Sequence, residues 1–214
     1  MQLTAHDQRL RVAVSQRIDW VETRCESRDS LDQRMVEWLS QVGVLAFPVP
    51  NSLHANGRLD NWLEKLVPQA VVLSGGNDIG NCLSRDATER ALLRYASERK
   101  LPVLGICRGM QMMGCYAGEK LQPVKGHVAS RHSLQSKFSS DEYAPKVNSY
   151  HEFCLSGCPD GYEVTAVATD GTIEAIRRLG KSWEAWMWHP EREKTFVASD
   201  IERARKILFG DTSK

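Results

Sequence analysis

Apolar residues in the first half of the chain alternate between two spacings. In residues 10–16 they fall on every second position, which predicts a strand that ends at Arg17. In residues 29–42 they recur at helical spacing, which predicts a helix with one face against a sheet. The same criteria predict strands at 44–49, 70–74 and 101–106, a polar loop at 51–61, and helices at 61–66, 86–98 and 108–117. Asp86 and Glu89 have the spacing of a capping box, which places one helix start near Asp86.

The second half of the chain is richer in predicted strands. They cover 147–155, 162–168, 172–177 and 183–188, and a final helix covers 200–208. Residues 121–146 are polar and rich in serine, which predicts a long loop or lid. Strands that alternate with helices and are followed by a strand-rich region predict an α/β fold, with a mainly parallel sheet flanked by helices and a small antiparallel extension. Neither a linker nor a repeat divides the chain, so we expect one domain over residues 1–214.

The charge balance narrows the classes of function. Among 214 residues, 28 basic and 27 acidic side chains give a net charge of +1, which does not predict a basic surface for nucleic acid. No apolar segment has the length of a signal-peptide core or a membrane span. We therefore expect a cytoplasmic protein that acts on a small molecule, with no nucleic-acid or membrane partner and with its oligomeric state open.

The six cysteines raise the question of metal binding. Cys154 and Cys158 form a C-x-x-x-C pair with His151 ahead of them, whereas zinc sites more usually contain C-x-x-C pairs. We expect reduced thiols, no metal and no cofactor.

A short motif around Cys107 predicts chemistry. The cysteine lies between a predicted strand and a predicted helix, with Gly105 and Gly109 two residues away on either side. This is the pattern of a nucleophile elbow, in which glycines allow a turn too tight for Cβ atoms. The N-terminus of the helix favours a thiolate at Cys107. The alternative, a buried structural cysteine beside a tight turn, is the ordinary interpretation for a cysteine without partners.

His189 and Glu191 supply the partners. They follow the predicted strand at 183–188, and at extended spacing both side chains project to the same side. A carboxylate there can fix the tautomer of the imidazole while the other ring nitrogen faces a thiol. Taken together with the elbow, the spacing predicts a Cys107–His189–Glu191 catalytic triad, although each residue alone has a structural explanation.

Four motifs in the same order resemble the class I glutamine amidotransferase superfamily. They are Leu-Ser-Gly-Gly-Asn-Asp at 73–78, Gly-Ile-Cys-Arg-Gly-Met-Gln at 105–111, Val-Asn-Ser-Tyr-His at 147–151 and Trp-His-Pro-Glu at 188–191. Within the superfamily the chain resembles the stand-alone γ-glutamyl hydrolases. Its compact length, Arg108 and the Val-Asn-Ser-Tyr-His segment are most similar to γ-glutamyl-CDP-amidate hydrolases of capsule phosphoramidate biosynthesis.

The resemblance implies a flavodoxin-like sheet and a set of binding residues. The N–H groups near Gly76 and of Arg108 would form the oxyanion hole, and the paired glycine Gly75 would let the backbone approach the substrate. Gln111, one helical turn after Cys107, would contact the glutamyl head. The segment that embraces the α-amino and α-carboxylate groups would be Asn148, Ser149, Tyr150 and His151, of which His151 has a packing role as an equal alternative.

Basic residues near the predicted site favour an anionic leaving group. Arg17 follows the first predicted strand, and His127 and Arg131 lie in the polar segment after the nucleophile helix. Arginine suits phosphate because its planar fork donates two parallel hydrogen bonds. The substrate this predicts is γ-glutamyl-CDP-amidate, which would give glutamate and cytidine diphosphoramidate. Each of these cations taken alone is more ordinarily a surface residue.

Three alternatives stay open at this point. The first is a γ-glutamyl-γ-aminobutyrate-type hydrolase, although the short segment after Gly76 and the Tyr-Ala-Gly at 116–118 depart from that pattern. A glutaminase subunit that feeds ammonia to a partner synthase would have the same triad, but such subunits more often carry leucine at the position of Arg108. A binding protein on a decayed enzyme fold is disfavoured because every triad member is present.

Overall fold

A computed structural model describes residues 9–137 and 143–210. The strands are β1 (Arg11–Val14), β2 (Arg17–Val21), β3 (Glu26–Ser30), β4 (Leu45–Pro48), β5 (Ala70–Leu73), β6 (Val103–Ile106), β7 (Leu121–Pro123), β8 (Val128–Ser136), β9 (Lys146–Tyr150), β10 (Phe153–Leu155), β11 (Tyr162–Ala168), β12 (Ile173–Arg178) and β13 (Trp183–Trp186). The helices are α1 (Gln33–Val42), α2 (Ser52–Ala55), α3 (Leu59–Leu66), α4 (Leu83–Arg99), α5 (Arg108–Tyr116) and α6 (Ala198–Phe209). None of the helices in these two ranges is long and apolar enough to cross a membrane.

Nine strands form one sheet in the order β4-β1-β5-β6-β13-β12-β11-β8-β9. The first five strands run parallel to their neighbours. From β13 onwards every pairing is antiparallel. The predicted fold class is confirmed, with the α/β sheet divided into a parallel half and an antiparallel half.

The antiparallel half is larger than predicted because residues 121–146 are not a simple loop. This segment contains β7, which pairs with β10, and β8, which pairs with both β9 and β11. The polar sequence of β8 does not predict a strand, because this strand is stabilised by backbone hydrogen bonds to neighbours on both sides. Residues 138–142 of the predicted loop or lid lie outside the described residues.

Two hydrophobic layers cover the faces of the sheet. Val12 and Val14 point to the layer formed by α1 and α6, whereas Ala13 points to the layer formed by α3, α4 and α5. Alternate residues of one strand reach opposite layers because successive Cβ atoms project to opposite faces. Strands buried on both faces explain the continuous apolar runs of the parallel half.

Several boundaries near the first strand differ from prediction. Arg17 does not end β1 but begins the antiparallel hairpin of β2 and β3, which the apolar pattern does not predict. The helix predicted from residue 29 begins at Gln33, after the cap residue Asp32, whose carboxylate accepts from the N–H of Arg34 at 2.9 Å. The segment 51–61 contains the short helix α2 and the first turn of α3.

The predicted capping box at Asp86 is wrong. Helix α4 begins at Leu83, after the N-cap residue Cys82, and its N-cap side chain makes no capping hydrogen bond. Asp86 and Glu89 instead turn inward and form ion pairs with Arg108. Tertiary pairing therefore outweighs the local capping preference.

Two glycines set the distance between α5 and the sheet. A Cβ on Gly109 would lie 2.3 Å from the carbonyl oxygen of Leu73, and one on Gly105 would lie 2.8 Å from the carbonyl carbon of Gly109. Both separations are far too short for a side chain, so α5 packs directly on β5 and β6. This close packing brings Cys107 to the carboxyl edge of the parallel strands, where ligands bind in sheets of this kind.

Candidate active site

Cys107 occupies a strained turn between β6 and α5. Its φ and ψ angles are 51° and −103°, a conformation that costs a non-glycine residue on the order of 1–3 kcal/mol. Its N–H donates to the carbonyl of Trp186 at 2.7 Å, and its own carbonyl accepts from the N–H of Met110 at 2.9 Å. The backbone is thus held on both sides of the sulfur. The predicted elbow geometry is present.

His189 lies beyond the end of the neighbouring strand β13 and is fixed from three directions. Its Nδ1 is 2.6 Å from Oε1 of Glu191, and the other side of the ring contacts the side chain of Cys107. The ring packs so closely on Gly75 that a Cβ there would be 2.5 Å from Cε1. Its main chain is bracketed by the Asn148 amide, which accepts from the N–H at 3.0 Å and donates to the carbonyl at 2.8 Å.

The charge on His189 follows from its neighbours. Burial acts to lower the pKa of His189, but the negative charges of Cys107 and Glu191 outweigh it and raise the pKa to about 10. The imidazole therefore carries a proton at neutral pH, on a ring of which 1% is exposed. A buried imidazolium between a thiol sulfur and a carboxylate can donate a proton to a leaving nitrogen.

A buried ion network joins α4 to α5. The Arg108 guanidinium is 2% exposed and pairs with the carboxylates of Asp86 and Glu89. Glu89 also accepts from Nε of the fully buried Arg85 at 3.0 Å. The side chain of Arg108 therefore points away from the site and into the network, while its backbone N–H stays in the first turn of α5, where helices leave amide groups unpaired.

Arg85 carries the network to the loop after β5. Its guanidinium donates to the carbonyls of Ser74 at 2.8 Å, Gly75 at 2.9 Å and Gly76 at 2.9 Å. Because a trans peptide is planar, the N–H of Gly76 points opposite to the Gly75 carbonyl, away from Arg85. Gly76 has a φ of 94°, which favours glycine. These contacts set the orientation of the predicted oxyanion donors.

Cys107 opens into a cavity of about 390 Å³. Gly76 and Arg108, the predicted oxyanion residues, line it together with His189. A second cavity of about 270 Å³ is lined by Arg17 and by Gly75 and Gly76 of the loop after β5. Both are bordered by Gly76 and Arg192, so the two cavities adjoin.

The predicted glutamyl-binding residues divide into two groups. Gln111, Tyr150 and His151 line the Cys107 cavity, and the Gln111 amide donates to the carbonyl of Phe153 at 2.9 Å. Asn148 and Ser149 do not line it. Asn148 holds His189 and also donates to Glu193, and the Ser149 hydroxyl donates to the carbonyl of His127 at 2.6 Å. Gly75 lines the second cavity and contacts the ring of His189.

The predicted leaving-group residues also separate. Arg17 lines the second cavity and pairs with Asp19 at 2.7 Å. The prediction that His127 contacts the leaving group is wrong. Its ring is buried among Asp170, Glu174 and His151 and does not line either cavity. The role of Arg131 stays a prediction: its guanidinium pairs with Glu193 at 2.9 Å, and it does not line either of these two cavities.

The residues that hold the site in place are not predicted from the sequence. Arg85, Asp86 and Glu89 look like the exposed charges of a helix, and the only usable signal was the i, i+4 spacing of Arg85 and Glu89. Asn77 was also missed. Its side-chain amide pairs with both backbone groups of Ile18, at 2.8 and 2.9 Å, and ties the hairpin to the loop after β5.

A strained cysteine at a strand–helix elbow, next to a carboxylate-bound histidine, is typical of cysteine hydrolases built on α/β sheets. The chain belongs to the Peptidase C26 family, whose model matches residues 12–191. The predicted resemblance to class I glutamine amidotransferase-like proteins is confirmed, and the protein is a hydrolase of this type.

Relatives of the chain include a protein that it covers almost completely and a protein of which it covers about a third. The γ-glutamyl-CDP-amidate hydrolase of Campylobacter jejuni is 30% identical over 188 residues, covering 85% of this chain and 90% of that protein. The glutamine-hydrolysing GMP synthase of Bacillus subtilis is 25% identical over 170 residues, which are 77% of this chain but 32% of the synthase. The structure of a glutamine amidotransferase from Thermotoga maritima has a TM-score of 0.64 at 16% identity, covering 97% of this chain and 87% of that one, and shows the shared fold.

The contact with Cys107 predicts how the pKa of His189 changes when the cysteine is replaced. In Cys107→Ala we expect the pKa of His189 to fall below the wild-type value of about 10, because one of the two charges that oppose burial is gone. NMR of histidine-labelled protein measures this pKa directly, and Cys115→Ala, in the helix α5 that follows Cys107, is the control. Since the unfolded value is about 6.5, protonation of His189 stabilises the wild-type fold fully below pH 6.5, and this contribution is lost as the pH rises towards 10. An unchanged pKa in Cys107→Ala would contradict the assigned contact.

The contacts of Arg85 predict that its replacement lowers the free energy of unfolding. In Arg85→Met, Glu89 loses one of its two partners and three loop carbonyls lose their donor, so we expect the free energy of unfolding to fall by about 3–5 kcal/mol. Arg94→Met removes an exposed pair with Asp60 at 3.5 Å and should cost less than about 1 kcal/mol. Urea unfolding followed by fluorescence compares the two variants. Equal losses would show that the buried network does not stabilise the fold.

Proposed function

We propose that the protein hydrolyses γ-glutamyl amides through a γ-glutamyl thioester on Cys107. The observation that carries this proposal is the shared cavity in which Cys107 and the Glu191-bound His189 meet Gly76 and Arg108. These residues supply a nucleophile, a proton donor and two backbone N–H groups, and all of them line the same cavity. The family and the named activity of the Campylobacter jejuni relative support the same chemistry.

The reaction proceeds in two halves. The Cys107 thiolate attacks the γ-carbonyl carbon, and the N–H groups of Gly76 and Arg108 stabilise the oxyanion. The C–N bond then breaks as His189 donates its proton to the leaving nitrogen. In the second half His189 accepts a proton from water, which attacks the thioester and releases glutamate and the free thiolate. Glu191 holds the imidazole in place and stabilises its charged form throughout.

The glutamyl head would lie against Gln111 and Tyr150. The amide nitrogen of Gln111 is already engaged with the carbonyl of Phe153, which leaves its side-chain oxygen as an acceptor for the α-ammonium group. Tyr150 is 44% exposed, and its ring lies 5.8 Å from that of His189. The Arg192 guanidinium lies over the same ring, with its Cζ atom 4.8 Å from the ring centroid.

The leaving group we propose is an anionic phosphoramidate of a nucleotide, as in γ-glutamyl-CDP-amidate. Two things support it: the Campylobacter jejuni relative, and the second cavity beyond Gly76. That cavity contains Arg17 and Arg192, whose guanidinium groups suit phosphate oxygens. A substrate bound at Cys107 can extend past Gly76 into it, because the two cavities adjoin.

A glutaminase role with a partner synthase is the second candidate. The similarity to Bacillus subtilis GMP synthase favours it, since this chain matches about a third of that protein. Free glutamine has ammonia as its leaving group and would leave the second cavity unused. A γ-glutamyl-γ-aminobutyrate substrate would fill part of that cavity without a phosphate for the arginines. Substrate preference therefore separates the candidates.

The nucleophile is tested by glutamate release. Purified protein is incubated separately with γ-glutamyl-CDP-amidate, γ-glutamyl-γ-aminobutyrate and glutamine, and glutamate is quantified. We expect the first substrate to be preferred, and Cys107→Ala to lower kcat by a factor on the order of 10⁴–10⁶ while retaining the wild-type circular dichroism spectrum. Cys115→Ala, in the helix α5 that follows Cys107, should keep full activity. Full activity of Cys107→Ala refutes the thioester mechanism, whereas a preference for glutamine supports the glutaminase role.

The leaving-group site is tested at Arg17. Arg17→Ala should raise KM for γ-glutamyl-CDP-amidate about 10-fold or more, since an arginine–phosphate contact is a charge-assisted pair, and should leave hydrolysis of a small neutral γ-glutamyl amide unchanged. Arg28→Ala, on the paired strand of the same hairpin, is the matched control because Arg28 lies outside both cavities. Equal effects of Arg17→Ala on both substrates would exclude a phosphate contact.

A further inference from the structure

Three buried side chains in the antiparallel half of the sheet converge on one point that the proposed hydrolysis does not use. His127 directly precedes β8, His151 directly follows β9, and Glu174 lies in β12. They are 4%, 3% and 0% exposed. The pairing of β8 with β9 and with β11, the neighbour of β12, brings together residues that are 23 or more positions apart in sequence.

The ligand atoms of these side chains are spaced like the donors around a small cation. Nδ1 of His127 is 3.2 Å from Nε2 of His151 and 3.3 Å from Oε1 of Glu174, and the latter two atoms are 3.4 Å apart. An ion bound at about 2.0–2.1 Å in tetrahedral geometry places neighbouring donors about 3.3–3.4 Å apart. The three atoms therefore have the spacing of one face of such a tetrahedron.

Outer hydrogen bonds set the tautomers of both rings. Nε2 of His127 lies 2.9 Å from the Asp170 carboxylate, and Nδ1 of His151 lies 3.0 Å from the carbonyl of Phe153. Each of these nitrogens must carry a proton to donate to its oxygen partner, so in the neutral rings the inward nitrogens present lone pairs. Histidine ligands of metals are oriented by the same kind of outer partner.

The Glu174 carboxylate faces the ring nitrogens of three histidines, His127, His132 and His151, at 3.3–3.4 Å. Among the described residues neither of its carboxylate oxygens has a hydrogen-bond partner, although the side chain is fully buried. His132 brings Nε2 to 3.3 Å from Oε2 without a hydrogen bond of its own. A cation at the point where these atoms meet would neutralise the buried carboxylate and take the lone pairs of the two neutral imidazoles.

We propose that His127, His151 and Glu174 bind one zinc ion that stabilises the antiparallel half of the sheet. Two imidazole nitrogens and a carboxylate oxygen are ligands that zinc takes in proteins. The site differs from the cysteine-based one that the sequence analysis considered and set aside, since neither Cys154 nor Cys158 contributes a ligand. The ion would join β8, β9 and β12 and would hold the end of β9, where Tyr150 enters the Cys107 cavity.

The metal content of the purified protein tests the proposal. Protein prepared without a metal-affinity step is treated with chelator, incubated with zinc chloride and desalted, and zinc is measured by mass spectrometry. We expect a single zinc ion per chain in the wild type, and Zn²⁺ in excess should raise the Tm of the metal-free protein by about 5–10 °C. Cobalt(II) in place of zinc should give the visible absorption of a tetrahedral site.

Variants locate the ion. Glu174→Gln keeps the size of the side chain but removes the charge, and we expect it to lose the zinc and the rise in Tm. His54→Gln alters a histidine of the short helix α2, away from the cluster, and should keep both. If Glu174→Gln does not fold, the wild-type zinc and Tm measurements decide alone. Wild-type protein that retains no zinc and shows no shift in Tm overturns the proposal, as does zinc retained by Glu174→Gln. All of these readouts are independent of activity.

Discussion

The buried ion network of Arg85, Glu89, Arg108 and Asp86 is the constraint on which the site depends. It joins α4 to the first residue of α5 and, through Arg85, to three successive carbonyls of the loop after β5. The two predicted oxyanion donors lie on separate segments of the chain, at Gly76 and Arg108. One set of charges therefore fixes both donors relative to Cys107. Buried charges persist only when each is paired and hydrogen bonded, which makes this geometry specific.

Further contacts hold His189 and Glu191, two residues of the predicted triad, in place. His189 is held by Glu191, by the Asn148 amide and by contact with Gly75, so that a ring carrying a charge has little freedom to move. Arg34 of α1 reaches the carbonyls of Glu191 and Glu193, which fixes the turn that follows. Segments far apart in sequence thus converge on one imidazole. Preorganisation of this kind lowers the cost of arranging charges during the reaction.

The sequence predicts the parallel half well because its strands are buried on both faces and read as continuous apolar runs. It fails for the hairpin of β2 and β3, whose residues are polar and largely exposed, and for β8, which carries serine, histidine and glutamine. Backbone pairing, not an apolar pattern, stabilises those strands. In the site, Cys107, His189 and Glu191 follow from short motifs. The supporting role of Arg85 does not, and Asn148 is predicted from its motif to bind substrate and not to hold His189, because contacts between segments far apart in sequence leave no local signal.

Arg108 gives the buried network an evolutionary consequence. Its side chain cannot be exchanged alone, because a leucine there would leave the carboxylates of Asp86 and Glu89 buried with fewer cations, at a cost comparable to much of a domain's stability. A relative with leucine at this position must have changed the helix corresponding to α4 as well. The residue after the nucleophile and the charges of α4 should therefore vary together across the family. An alignment would show these positions changing together, although their side chains point into the buried network and not towards the substrate.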